Sequence, residues 1–172
     1  MSDGYRAPRR LRKADQLDHF ECRSTEQTEW LRRHARQADA TGTATTFVVE
    51  TSSNAAIAAF YAWSMASITV NESPARLRKG AGRYPQPVAL LARLGVGVEH
   101  ERCGLGAALL KDVIARVAVL GTEIGCRGLL IHAETTAARD FYLHLIPEFE
   151  VSPTDDFHLV LMMKDIHRSL AG

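Results

Sequence analysis

The sequence predicts an α/β fold, a mixed central sheet flanked by helices. Three observations point to it. Residues 45–50 and 56–69 are two runs rich in aromatic and β-branched side chains, joined by the polar turn Ser52-Ser53-Asn54, which reads as an antiparallel hairpin. Residues 88–120 read without a break as a strand, a glycine-bearing turn and an amphipathic helix. A short apolar strand at 128–133, a helix at 136–145 ending before Pro147 and a last strand at 158–164 complete the order. A hairpin followed by strand–helix–strand, a helix and a closing strand makes a mixed sheet.

Residues 1–13 carry Arg6, Arg9, Arg10, Arg12 and Lys13 around Pro8. This basic arm is too polar to pack on its own merits and reads either as a mobile arm or as the start of the first strand. Residues 14–172 then form a single domain. Ser24 and Gln27 make a capping pattern that opens a helix over 25–39, with Trp30, Leu31, Ala35 and Ala38 as its buried stripe. Arg32, Arg33 and Arg36 occupy the rest of that helix, as a solvated face or as a surface for nucleic acid.

Between the hairpin and the next strand, residues 71–86 (NESPARLRKGAGRYPQ) read as an irregular loop too long for a simple turn. Its cations, Arg76, Arg78, Lys79 and Arg83, stand beside Tyr84. That mixture suits a phosphate backbone and a stacking base; a solvated, disordered loop is the plainer alternative.

Along 88–98 the residues alternate. Val88, Leu90, Ala92, Leu94, Val96 and Val98 share one face; Ala89, Leu91, Arg93, Gly95 and Gly97 share the other. Glycines inside a strand mark a close approach to the backbone, here expected to be a ligand lying along that edge. Arg93 must reach solvent or a partner, because burying its charge alone is prohibitive. On the glycine side it would face substrate, as an RNA contact, or else pair with an acid of the sheet.

The helix that follows carries an apolar stripe through Leu105, Leu109, Val113 and Leu120. Gly104 and Gly106 sit at its start. A helix N-terminus with bare backbone suits a phosphate or pyrophosphate, whereas a tight strand-to-helix turn explains the same two glycines without a ligand.

The chain has 172 residues, 46% hydrophobic and 24% charged, enough for one domain with a proper core. It holds no apolar run near 18 residues and no signal peptide, so no membrane association and a cytoplasmic location are expected. Cys22, Cys103 and Cys126 lack metal-ligand spacing and fit a reducing compartment, and no metal is expected. Cys103, at the helix entrance, is the one to weigh as a reactive thiol. The net charge of +1 is uneven, with 13 Lys/Arg against 9 Asp/Glu in residues 1–83 and 8 against 11 in the remainder.

From Asp18 to Phe149 the chain resembles the GNAT acetyltransferases, and more closely the GNAT toxins of bacterial toxin–antitoxin pairs, the TacT and AtaT group. Three motifs carry the resemblance. LGVG, Leu94 to Gly97, stands where the group has a segment like LAVD. Glu101-Arg102-Cys103-Gly104-Leu105-Gly106 matches Q/R-x-x-G-x-G/A, and Ala138-Arg139-Asp140-Phe141-Tyr142, with Phe149 beyond, matches A-x-x-F-Y. Glu101 departs from the group's Gln or Arg and brings an acid toward the expected pyrophosphate unless its side chain turns away; Arg102 offers a compensating charge. Gly97 stands in place of a frequent Asp, and Glu148 in place of a frequent Gly.

The resemblance implies a GNAT fold that binds acetyl-CoA through Leu94, Gly95, Val96, Glu101, Arg102, Cys103, Gly104, Leu105, Gly106 and Ala107. Backbone N–H groups near Leu94 to Val96 would hold the thioester carbonyl, and Tyr142 would be the general acid for the leaving thiolate. From spacing alone, Tyr142 reads as core beside Phe141 rather than as a catalytic group. His100, Glu101, His132 and Glu134 lie near strand ends and have ordinary surface roles. The implied substrate is the α-amino group of aminoacyl-tRNA, with Arg76, Arg78, Lys79, Arg83 and Arg93 as tRNA contacts. The implied partners are a second copy of the chain and a ribbon-helix-helix antitoxin from the neighbouring gene, with operator DNA reached only through the antitoxin. Two alternatives stand beside it: a GNAT enzyme acting on a small amine or a protein N-terminus, and a catalytically silent CoA-binding interaction module.

Overall fold

The computed structural model describes residues 4–171. Residues 1–3 of the basic arm and residue 172 lie outside them. The described strands are β1 (Arg9–Arg10), β2 (Thr45–Glu50), β3 (Ile57–Ile68), β4 (Gln86–Val96), β5 (Gly128–His132), β6 (Glu150–Val151) and β7 (His158–Met162). The helices are α1 (Thr25–Arg33), α2 (Ala35–Thr41), α3 (Ala75–Arg78), α4 (Leu105–Glu123), α5 (Thr136–Leu145) and α6 (Met163–Ala171). Strand order is β1-β2-β3-β4-β5-β7-β6. β4 and β5 are parallel, as the α4 crossover between them allows, while β1–β2, β2–β3, β5–β7 and β6–β7 are antiparallel. The parallel register joins Ala89, Leu90 and Leu91 to Leu129, Leu130 and Ile131, and β4 itself continues to Val96.

The chain groups into two compact units, one of residues up to Ser64 with Ala92–Asp112, the other of Met65–Leu91 with the residues from Val113 onward. In the first unit Arg9–Arg10 of the arm form a strand. Arg9 lies opposite Val48 and Arg10 opposite Phe47. What makes so basic a segment pack is charge pairing: the Arg9 guanidinium donates to both Asp15 oxygens at 2.9 and 2.7 Å and to Glu50 at 2.8 Å.

Ser24 caps α1 as its sequence predicts, accepting from the Gln27 amide at 3.1 Å. The single helix expected over 25–39 is two, because His34 takes φ −119° and breaks the helical path between Arg33 and Ala35. Leu31 and Ala35 on either side of the break are fully buried with Leu11, Leu17, Phe20, Val48 and Phe60. Arg32 and Arg36 tie the helices to the segment before them, Arg32 through the Phe20 carbonyl at 2.7 Å and Arg36 through the Asp15 carbonyl.

In the second unit the segment 71–86 is ordered. Within it α3 buries Leu77 completely, and Ile68, Val88, Leu130, Val160 and Met162 pack with that side chain. Arg76 reaches the buried Asp165 of α6 at 2.9 Å. Gln86 donates to the carbonyls of Ala81 and Tyr84 at 3.1 and 3.0 Å, closing a turn in which Gly80 and Gly82 adopt left-handed conformations. The last strand ends at Met162, two residues before the predicted end, and α6 follows directly, burying Asp165 and Ile166. Among the described residues no helix is long and apolar enough to cross a membrane, and no group of three or more His, Cys, Asp or Glu is arranged to hold a metal ion.

Candidate active site

The glycine face of β4 is a packing face. A Cβ on Gly95 would lie 2.7 Å from Cε1 of Phe60 and 3.2 Å from Sγ of Cys22, and one on Gly97 would lie 3.0 Å from the Ala58 carbonyl oxygen. What approaches the bare backbone at Gly95 on this face is therefore an aromatic ring. Arg93 follows the same face. Its guanidinium donates to Glu26 of α1 at 2.8 Å and lies 5.6 Å above the Trp30 ring, so its acid comes from a helix and not from the sheet. Leu94 and Val96, on the opposite face, are half-buried.

Beyond Gly97 the chain makes one 3-10 turn, Val98–His100; the Gly97 amide before it donates to the Ala58 carbonyl at 2.8 Å, Val98 to Glu21 at 2.9 Å and His100 to Gly97 at 2.8 Å. Glu101 is extended. Arg102 then takes φ +63° and Gly104 φ +81°, a left-handed residue on each side of Cys103. For Arg102 this conformation is uncommon and costly. Backbone of this alternating kind turns successive N–H groups into an anion-binding concavity, and the 19-residue α4 adds the positive end of its dipole. Arg102, Cys103 and Gly104 are exposed, and nothing lies within 4 Å of where a Cβ on Gly104 would stand. Leu105 is buried and fixes the start of the helix, while Gly106 and Ala107 are half-buried.

The carboxylate of Glu101 is paired. Both its oxygens are held by Arg23, from Nε at 3.2 Å and from the terminal nitrogen at 2.6 Å. Arg23 is a residue the sequence does not single out. On the other flank Tyr5 shares a 2.9 Å hydrogen bond with His100 Nδ1, and Cys103 beside it pushes the Tyr5 phenol up. Cys103 itself points its thiol at the Glu101 carbonyl, 3.5 Å away.

In the second unit, α5 is capped by Thr135, which accepts from the Ala138 amide at 3.1 Å. Tyr142 is 6% exposed and Phe141 37%, and both Phe141 and the buried Phe149 meet Tyr142 edge-on. Burial raises its phenol well above the ordinary tyrosine value, and the Glu134 carboxylate adds to the rise. At neutral pH Tyr142 is thus a protonated donor in an apolar setting. Between β5 and β7 of the same unit, His132 and His158 stack with ring centroids 3.9 Å apart.

The basic residues of 71–86 differ in their freedom. Arg76 is engaged by Asp165 and, at 3.7 Å, by Glu150. Arg78 is exposed and donates to the Ser73 carbonyl at 3.2 Å. Lys79 and Arg83 are exposed, as is Tyr84, at 78%.

No protein-family profile matches the chain. A curated protein of Mycobacterium tuberculosis (strain ATCC 25618 / H37Rv), the tRNA-acetylating toxin, is 38% identical over 169 residues, covering 98% of each chain. Among solved structures, a Tyr-to-Phe mutant of KacT superposes with a TM-score of 0.88 at 18% identity, over 96% of this chain and 99% of the other. AtaT complexed with acetyl-methionyl-tRNAfMet does so with a TM-score of 0.86 at 17% identity, over 95% and 98%. A Tyr-to-Phe mutant of AtaT, bound to the C-terminus of the antitoxin AtaR and acetyl-CoA, gives a TM-score of 0.80 at 18% identity, over 96% and 98%.

Proposed function

The chain belongs to the GNAT acetyltransferase toxins of bacterial toxin–antitoxin systems, and from that membership we propose that it transfers acetyl from acetyl-CoA to the α-amino group of an aminoacyl-tRNA, blocking translation. The observation that carries this reading is the turn before α4. Its two left-handed residues and open Gly104 stand where the toxins carry their Q/R-x-x-G-x-G/A motif.

Exposed backbone at Arg102, Cys103 and Gly104, backed by the helix dipole, fits a diphosphate. Leu105, Gly106 and Ala107 continue that donor set into the first turn of α4. Acetyl-CoA supplies a thioester, whose carbonyl the amine attacks and whose thiolate departs needing a proton. In this reading the backbone of Leu94, Gly95 and Val96 orients that carbonyl, and Tyr142 delivers the proton. Burial keeps the phenol protonated at neutral pH, and the proton it gives the departing thiolate is replaced by the one the attacking nitrogen loses, so that amide, CoA thiol and neutral Tyr142 result.

No general base is required of the chain. An α-amino group titrates near about 8 and is partly free at neutral pH, and esterification to tRNA frees it further. Positioning then matters more than deprotonation. Arg78, Lys79 and Arg83, exposed beside Tyr84, are the residues that best suit the tRNA backbone, with Arg76 and Arg93 already engaged in ion pairs. The same membership supports a homodimer, a cytoplasmic location and neutralisation by a ribbon-helix-helix antitoxin that alone contacts operator DNA.

Labelled acetyl-CoA offered with charged tRNA, deacylated tRNA, N-terminal peptides and small amines tests the reading. Label should enter charged tRNA and be released with the amino acid by mild alkali. Label in peptides or amines alone would contradict it.

A further inference from the structure

Glu101 poses a problem for any anion bound at the start of α4, because it places a carboxylate one residue before the left-handed turn. The structure pairs that carboxylate with Arg23. Cys22 forms an isolated antiparallel bridge with Gly97, and Val98 donates to the Glu21 carbonyl at 2.9 Å, so the segment before α1 is stapled to the start of the turn. On the other side of Arg23, Ser24 caps α1. Arg23 is therefore delivered to Glu101 by backbone held at both ends, and it grips both carboxylate oxygens although its own side chain is 83% exposed.

Resting on the acetyl-CoA reading above, we propose that Arg23 is a positioning residue for cofactor binding: it holds the Glu101 carboxylate aside and cancels its charge, so that the turn before α4 accepts a diphosphate. Arg23 acts through Glu101 and not by touching the ligand. The bidentate fork fixes where the carboxylate points, which a point charge would do less well. Such an exposed pair adds little to folding stability, so its consequence lies in the field at the anion site.

The test is the binding of acetyl-CoA by calorimetry to the full chain and to Arg23→Ala, Glu101→Gln and the double variant. Arg23→Ala should raise Kd roughly three- to tenfold at low salt, with the difference shrinking as salt is added. Glu101→Gln should bind at least as tightly as the parent. In the Glu101→Gln background, loss of Arg23 should change Kd by less than about twofold, because no carboxylate remains to be neutralised. An equal penalty in both backgrounds, or none in either, would overturn the inference. Absence of acetyl-CoA binding by the parent would overturn the functional reading itself, and this inference with it; binding that ignores Arg23 would overturn the inference alone. In steady-state kinetics the effect should fall on KM for acetyl-CoA, with kcat near the parent's.

Discussion

The ring of Phe60 fills the space that a side chain at Gly95 would need, with Cε1 only 2.7 Å from the position of a Cβ. Phe60 is itself fixed, edge-on to Phe20 and stacked with Trp30. Gly95→Ala should therefore destabilise the chain by about 1–3 kcal/mol through overpacking. Phe60→Leu in the same chain should recover part of that loss. Urea unfolding of the single and double variants checks both.

Arg9 joins Asp15 and Glu50, each of which has a side chain only 10% exposed. Arg9→Met takes from the largely buried Asp15 its paired guanidinium and leaves Glu50 only Arg6, at 3.3 Å, and should cost about 3 kcal/mol. Arg10→Met removes an exposed pair with Asp39 and should change stability by less than about 0.5 kcal/mol. Thermal unfolding distinguishes the two.

His132 has its pKa lowered, by partial desolvation of a ring that is otherwise exposed and then by the neighbouring His158, with Asp155 and Glu72 partly opposing. The fold thus prefers its neutral form. Its contribution to stability is present above the ordinary histidine value of about 6.5 and is lost as pH falls below it, because the unfolded chain then binds the proton first. His132→Gln should flatten the decline in stability between about pH 6.5 and 5.

Tyr142 has its pKa raised, so its ionisation should not limit transfer below about pH 10. The rate of acetyl transfer should rise with deprotonation of the esterified acceptor amine, below about pH 8, and then level off with no descending limb that Tyr142 would cause.

Arg78, Lys79 and Arg83 are exposed around a turn built by Gly80 and Gly82. Replacing all three by Ala should raise KM for aminoacyl-tRNA at least tenfold and lower its salt dependence, with acetyl-CoA affinity unchanged. Unchanged KM would favour a small acceptor.

Features set by neighbours along the chain were legible in the sequence. β2 and α5 fall on the predicted residues because a run of β-branched and aromatic side chains and a stop before Pro147 specify them locally, and the turn before α4 was visible from its glycines and the helix stripe behind it. Features set by distant partners were not. Nothing near residue 76 announces Asp165, and nothing near Glu101 announces Arg23, whose position depends on the bridge between Cys22 and Gly97. His34 carries no breaking signal, yet its φ divides the first helix. Gly95 was singled out correctly as a close approach, but sequence alone does not say whether a ligand or a phenylalanine makes it.

The most direct test of the central claim is a single-turnover measurement of labelled acetyl passing from acetyl-CoA to purified aminoacyl-tRNA, run on the parent chain and on Tyr142→Phe, with acetyl-CoA affinity measured on the same samples. The account predicts transfer by the parent to charged but not deacylated tRNA, and a rate at least about a hundredfold lower for Tyr142→Phe with acetyl-CoA affinity retained. Parent chain that binds acetyl-CoA yet leaves charged tRNA unlabelled would contradict the account, and a fully active Tyr142→Phe would remove Tyr142 as the proton donor.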